Sequence, residues 1–149
     1  MPVITVTLLP VRPDLDLSAF ADGPLQEVLA ATLAYYKAIG FQEPWVSYLA
    51  QQGGAYCGCC SFKGRPAGSR VEIAYYTFPS FEGKGVASEM CRQLTALALA
   101  QDAGLAVTAR TLPEENASTA ILKKNGFRFS GIVNDPEDGE VFEWVFHSR

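Results

Sequence analysis

Apolar residues recur along this chain with two distinct periods, and the switches between them divide it into elements. Residues 3–9 alternate in the two-residue rhythm of a strand, best suited to a sheet edge. Residues 18–39 carry Phe20, Leu25, Val28, Leu29, Leu33, Tyr36 and Ile39 at helical spacings, and Gly23-Pro24 predicts a break there into two helices. Residues 45–50, a Gln-Gln-Gly-Gly turn and residues 55–62 predict a hairpin. A second hairpin follows through the loop 63–69, with Gly64, Pro66 and Gly68. Its return strand, 71–78, sets Val71, Ile73 and Tyr75 on one face and Glu72, Ala74 and Tyr76 on the other.

Beyond a glycine-containing loop, Val86, Met90, Leu94 and Leu97 form a stripe at three- and four-residue steps, opposite Ser88, Glu89, Arg92 and Gln93. Gly104 stops this helix, and 105–111 is a strand. Residues 113–116 open a short helix that Gly126 closes. Strands at 127–133 and 141–147 flank the turn-rich stretch 134–139. The order β, α, α, β, β, β, α, β, α, β, β mixes hairpins with one β-loop-α-β crossover, which predicts an α+β or mixed α/β sheet domain.

A chain of 149 residues, 48% apolar and 19% charged, has the size and composition of one globular domain spanning 1–149. The N-terminal stretch is too short and too alternating for a signal sequence or a membrane span, so no membrane partner is expected. The net charge of −4 argues against nucleic acid as a partner, because backbone phosphates require clustered cations. Basic spots are local, at Arg65, Arg70 and Lys123-Lys124, so an anionic ligand must be drawn by local features. Of four cysteines, Cys57, Cys59 and Cys60 crowd one segment without the spacing of a disulfide framework, which points to a reducing cytoplasm. Cys57 and Cys59 share one strand face while Cys60 points away, and the only histidine, His147, is remote. No metal site is expected, and these thiols and Cys91 read as core.

The residues Glu82-Gly83-Lys84-Gly85-Val86-Ala87 lie between a strand and an amphipathic helix, where glycines allow close approach and a helix start offers unpaired N–H groups to an anion. By itself this loop is equally well a plain strand-to-helix turn. Two nucleotide loops do not fit. A Walker A loop needs Ser or Thr after Gly-Lys and a glycine where Phe78 stands, and the third glycine of the dinucleotide pattern falls on Ser88.

The six residues resemble the pyrophosphate-binding signature Gln/Arg-x-x-Gly-x-Gly/Ala of the GNAT superfamily of N-acetyltransferases, with Glu82 where that family carries Gln or Arg. A second block, residues 113–127, is similar to the family segment Pro-Glu-Asn-x-x-Ser-x-x-x-Leu-x-Lys-x-Gly-Phe. Ser118 matches its serine, its asparagine position falls on Glu115, and Asn116 stands one residue later, where it also suits a helix N-cap. The resemblance covers about residues 40–147, most specifically 71–127, and is nearest to the branch resembling ribosomal-protein N-terminal acetyltransferases.

The resemblance implies a central, mostly antiparallel twisted sheet of about seven strands flanked by about four helices. It implies acetyl-coenzyme A as co-substrate, without a metal, and direct attack of a primary amine, from a small molecule or a protein N-terminus, on the thioester. A homodimer is compatible with it. Cofactor contacts are then expected from Tyr76, Thr77 and Phe78 at the end of the strand, from Glu82 to Ala87 in the loop, with Gly83, Lys84, Gly85 and Val86 between them, and from Asn116 and Ser118 on the short helix. Backbone N–H groups near Tyr76 and Thr77 would serve the thioester oxygen, and those from Gly83 to Ala87 the pyrophosphate. Glu72 is the candidate general base, equally readable as a salt-bridged strand residue. Leu122 stands at or next to the family's thiol-side Tyr, which leaves Ser118 as the candidate partner of the sulfur. The rival reading is a non-catalytic acyl-coenzyme A-binding module on the same fold.

Overall fold

The computed structural model describes residues 4–114 and 116–147. Val3, in the first expected strand, and Glu115, at the family's asparagine position, lie outside them. Seven strands form one sheet in the order β1-β2-β3-β4-β5-β7-β6. They are β1 Thr7–Pro10, β2 Ser47–Gln52, β3 Ala55–Phe62, β4 Arg70–Thr77, β5 Ala106–Thr111, β6 Arg128–Asp135 and β7 Gly139–His147. The β4–β5 pair is parallel and the other neighbours are antiparallel. Helices α1 Pro24–Ile39, α2 Val86–Gln101 and α3 Ala117–Lys124 complete the fold. The architecture is that expected from the sequence, with three α-helices in the described residues in place of about four.

The difference lies in residues 18–39. Pro24 occupies the first turn of α1, where a missing N–H costs nothing, so Gly23-Pro24 starts one helix instead of dividing two. The segment before it holds only a single 3-10 turn, Leu17–Ala19, capped by Asp16. Two hairpins are also tighter than expected. Gly53 and Gly54 both have positive φ, 57° and 86°, so a two-residue loop closes the β2–β3 hairpin and Gln51 and Gln52 join the strand. Likewise β6 and β7 extend into 134–139, leaving a short turn in which the Asp135 carboxylate accepts from the N–H groups of Glu137 and Asp138.

The side chains of α2 that face the sheet, Val86, Met90, Cys91, Leu94 and Ala98, are buried against Val71, Ile73 and Val107. Leu97, expected in that stripe, is half-buried beside Ala98. Cys57, Cys60 and Cys91 are buried free thiols and Cys59 is half-buried; burial pushes the Cys91 thiol up to about 12.

Tyr36 fastens α1 to the sheet. Its hydroxyl donates to the Val11 carbonyl at 2.8 Å and accepts from the Ser47 N–H at 3.0 Å, and its ring meets the edge of Phe41. Burial raises its pKa above the ordinary 10.0, so the unfolded chain ionises first. The stabilisation contributed by this phenol is therefore present below pH 10 and is lost as pH rises above it. Tyr48, pushed up to about 12, adds to the same slope. Tyr36→Phe leaves a buried carbonyl and an N–H unpaired and should cost about 1–3 kcal/mol in urea unfolding at neutral pH. The deficit should narrow above pH 10, read as a shift in midpoint with an unchanged m-value.

Candidate active site

The site begins where the sheet divides. Strand β4 pairs with β5 only from Arg70↔Ala106 to Glu72↔Thr108. Beyond that point β4 stays with β3 and β5 with β7, and a gap opens between them. Two hydrogen bonds, Lys63 N–H to Glu72 C=O at 2.8 Å and Phe78 N–H to Cys57 C=O at 3.0 Å, fix the phase of the β3–β4 ladder. Glu72, Ala74, Tyr76 and Phe78 thus turn their backbone groups toward β3, and Ile73, Tyr75 and Thr77 turn theirs toward the gap. Of the two N–H groups singled out in the sequence, that of Thr77 points into the gap and that of Tyr76 belongs to the β3 ladder, while the N–H of Tyr75 also points into the gap.

At the end of β4 the chain makes a 3-10 turn, Pro79–Phe81, and enters the glycine loop. Gly83 and Gly85 have φ of 75° and 84°, in the left-handed region that side chains disfavour. Gly85 is the N-cap of α2, and no side chain caps that helix. Its first intrahelical bond is Glu89 N–H to Gly85 C=O, so the preceding N–H groups have no helical acceptor and carry the positive end of the helix dipole. Glu89, in the first turn, is engaged instead by Arg92 and Gln93, and the Arg92 hydrogen bond holds its carboxyl below the usual range.

Helix α3 forms the opposite wall. Asn116 is its N-cap: the side chain accepts from Thr119 N–H at 3.1 Å, and Thr119 Oγ1 accepts from Asn116 N–H at 3.1 Å. Asn125 at the other end donates to Ser88 Oγ at 3.1 Å and to the Ile121 carbonyl at 2.9 Å, tying α3 to the first turn of α2. The spacing of the two helix termini is thereby fixed by a side-chain hydrogen bond.

Between these walls lies a cavity of about 460 Å³. Tyr76, Thr77, Glu82, Gly83, Gly85, Val86, Ala87 and Ser118, all singled out in the sequence, line it. Phe78 does not, since it closes the β3–β4 ladder, and neither do Lys84, whose ammonium lies 5.7 Å from the Phe81 ring centroid, or Asn116. Asn116 instead lines a smaller adjoining cavity of about 240 Å³ with Arg110, Asp138 and Ser118, and Ser118 belongs to both. Sequence reasoning missed Phe81, Ser88, Ile121 and Lys124 as lining residues. Lys124 had a signal, as half of the basic pair Lys123-Lys124, and it brings a cation to the wall opposite the uncapped helix start.

Glu72 lies at the fork itself, on the sheet face opposite α2, with 20% of its side chain exposed. Lys63 Nζ is 3.4 Å from its carboxylate and Arg110 Nε 3.8 Å. Arg110 also meets Asp135 at 3.0 Å and Glu143 at 3.8 Å, and the two N–H bonds and Arg110 hold the Asp135 carboxyl below the usual range. The structure thus places Glu72 in an ion-pair network beside the gap and outside the main cavity.

These features define the class. The acetyltransferase (GNAT) domain model matches residues 9–128, and the chain belongs to that family. No curated protein matches its sequence. Among solved structures it is similar to RimL, a ribosomal L7/L12 alpha-N-protein acetyltransferase. The apo crystal form 2 has a TM-score of 0.71 at 17% identity, covering 97% of this chain and 94% of that one. The RimL complex with coenzyme A, in which the coenzyme is disulfide-linked to a cysteine of that protein, has a TM-score of 0.66 at 17% identity over 82% and 70%. It is also similar to the microcin C7 self-immunity acetyltransferase MccE, with acetyl-CoA and AMP, at a TM-score of 0.66 and 15% identity over 82% and 69%.

Gly58 sets how closely the end of β4 approaches β3. A Cβ there would lie 2.6 Å from the Tyr76 carbonyl oxygen and 3.1 Å from Met90 Cε. Gly58→Ala should therefore displace the end of β4 and cost about 1–3 kcal/mol, measured by guanidinium unfolding.

Proposed function

We propose that the main cavity holds acetyl-coenzyme A and that the protein transfers its acetyl group to a primary amine, of a small molecule or a protein N-terminus, by direct attack. The observation that carries this reading is a convergence. The unpaired N–H groups of Tyr75 and Thr77 in the strand gap and the uncapped start of α2 open on one cavity. The donor set fits an elongated ligand with a phosphate at one end and amides and a carbonyl along its arm. When bound, acetyl-coenzyme A supplies an activated acyl group. The N–H groups from Gly83 to Ala87, with Lys124 opposite, would hold the pyrophosphate, and the N–H of Thr77 would face the arm and the carbonyl that gathers negative charge. Ser118, on the wall of both cavities, is the side chain available to the sulfur. A thiol of pKa about 8.5 is a competent leaving group with that assistance.

The attacking amine must first lose a proton. Glu72 is the carboxylate beside the fork, and through water it would take that proton while Lys63 and Arg110 fix its orientation. The same ion pairs suit a purely structural role, in which Glu72 only holds Arg110. Similarity to RimL favours a peptide N-terminus among the acceptors, and similarity to MccE a small molecule.

Acetyl-coenzyme A should raise the melting temperature of the protein progressively with concentration, whereas ATP and NAD should not. Glu82→Gln should leave that stabilisation unchanged or strengthen it, because a carboxylate beside a pyrophosphate repels it. A large loss would assign the Glu82 side chain a binding role. Thiol release in an amine panel separates the enzyme from a binding module: stabilisation without release favours the module. With an active acceptor in hand, Glu72→Gln should lower kcat by about 10²-fold or more at an unchanged melting temperature. A lowered melting temperature with kcat unchanged would make Glu72 structural.

A further inference from the structure

The end of α1, the segment that follows it and the loop between β3 and β4 enclose a cavity of about 380 Å³ that shares no lining residue with the main one. Its apolar wall is aromatic. Trp45 meets Phe62 in an edge-to-face contact with centroids 5.0 Å apart, and Phe41 meets Tyr36 likewise at 5.2 Å, so buried neighbours hold both rings in place. Tyr35 and Ile39, one turn apart on α1, complete that wall and keep 45% and 38% of their surfaces exposed. The polar wall carries a cation. Arg65 donates from Nη1 to Gln42 Oε1 at 2.8 Å, and no carboxylate pairs with it among the described residues, whereas Arg12, Arg70, Arg92 and Arg110 each meet one. One neutral amide thus orients the guanidinium and leaves most of its five N–H donors available. The Tyr35 hydroxyl, 4.0 Å from where a Cβ of residue 64 would lie, faces the loop beside Arg65. In a chain with 16 acidic residues against 12 basic ones, an arginine left without an acid beside uncovered rings fits an anion from outside.

We infer that this cavity is a second ligand site, for an aromatic carboxylate. The ring lies against Tyr35, Phe41 and Trp45, and the carboxylate accepts from the Arg65 guanidinium and the Tyr35 hydroxyl. The volume suits one ring with a short arm, at the small end of ligand sites. A single guanidinium matches a single planar carboxylate; a phosphate dianion would call for a second cation, and no other arginine or lysine lines the cavity. The site stands apart from the acetyl-transfer reading and does not depend on it.

The test follows intrinsic fluorescence, because Trp45 lines the cavity while Trp144 is buried on β7. The probe is N-acetylphenylalanine, whose blocked amine cannot accept an acetyl group. Its amide keeps the ring without the charge, and N-acetylalanine keeps the charge without the ring. The acid should give a saturable change with a Kd of about 1 mM or tighter, as suits a ligand of about 15 non-hydrogen atoms. Each of the other two should bind about tenfold more weakly. Arg65→Gln, at an exposed position, should keep the wild-type melting temperature and lose the preference for the acid over the amide. Trp45→Phe should abolish the fluorescence change. Absence of saturation in the wild-type protein below about 10 mM overturns the inference. So does a control compound that binds as well as the acid, a preference retained in Arg65→Gln, or a response that survives in Trp45→Phe.

Discussion

The separation of β4 from β5 beyond Glu72 and Thr108 is the constraint on which the rest of the structure depends. A parallel pair ordinarily continues until one strand ends, because every unpaired N–H and C=O in a sheet interior carries a penalty. Here β4 runs on to Thr77 and β5 to Thr111 without each other. Each is kept extended by its other neighbour, β3 or β7. Two antiparallel wings thus support a gap that neither strand would leave open by itself. The price of that gap is a row of backbone groups that require a partner, and an elongated amide ligand can supply one.

The electrostatics follow from the same geometry. A chain of net charge −4 does not attract a polyanion through its overall field. What it offers is directional: helix-start N–H groups that no side chain occupies, a left-handed glycine cap that exposes them, and one lysine across the cavity. Such donors act over a single turn and need the helix start held in place. The Asn125–Ser88 hydrogen bond does this by joining the last turn of α3 to the first turn of α2. Positioning here is a matter of packing and hydrogen bonding, and charge enters last.

Much of this was legible in the sequence because it rests on local chemistry. Gly83 and Gly85 announced a turn that only glycine adopts readily, the Val86, Met90 and Leu94 stripe announced the helix behind it, and Asn116 announced a cap. The misreadings arose where tertiary partners decide. Gly23-Pro24 has the same composition whether it breaks a helix or begins one, and only the absence of a packed helix before it chooses the latter. Which N–H groups of β4 face the gap depends on the phase of the β3 ladder, which no spacing within β4 reveals, so Tyr76 and Tyr75 exchanged places. Lys124 and Ile121 reach the cavity only because α3 packs across α2, a contact far apart in the chain.

The sheet also divides the labour of the site between its two faces. On the α2 face are the helix termini, the glycine loop and an apolar wall, an environment suited to a ligand held by backbone donors. On the other face, Glu72, Asp135 and Glu143 surround Arg110, with Lys63 and Arg70 at the margin, in a partly buried network. Glu72 is the member nearest the fork, since it is the last β4 residue paired with β5. A carboxylate at that point borders the gap and does not line the main cavity. For the proposed acetyl transfer that placement would matter, because a negative charge beside the thioester oxygen would oppose the charge that develops there. In the proposed reaction the fork would separate the anion and thioester on one face from the amine and its proton on the other, with the two meeting where the strands part.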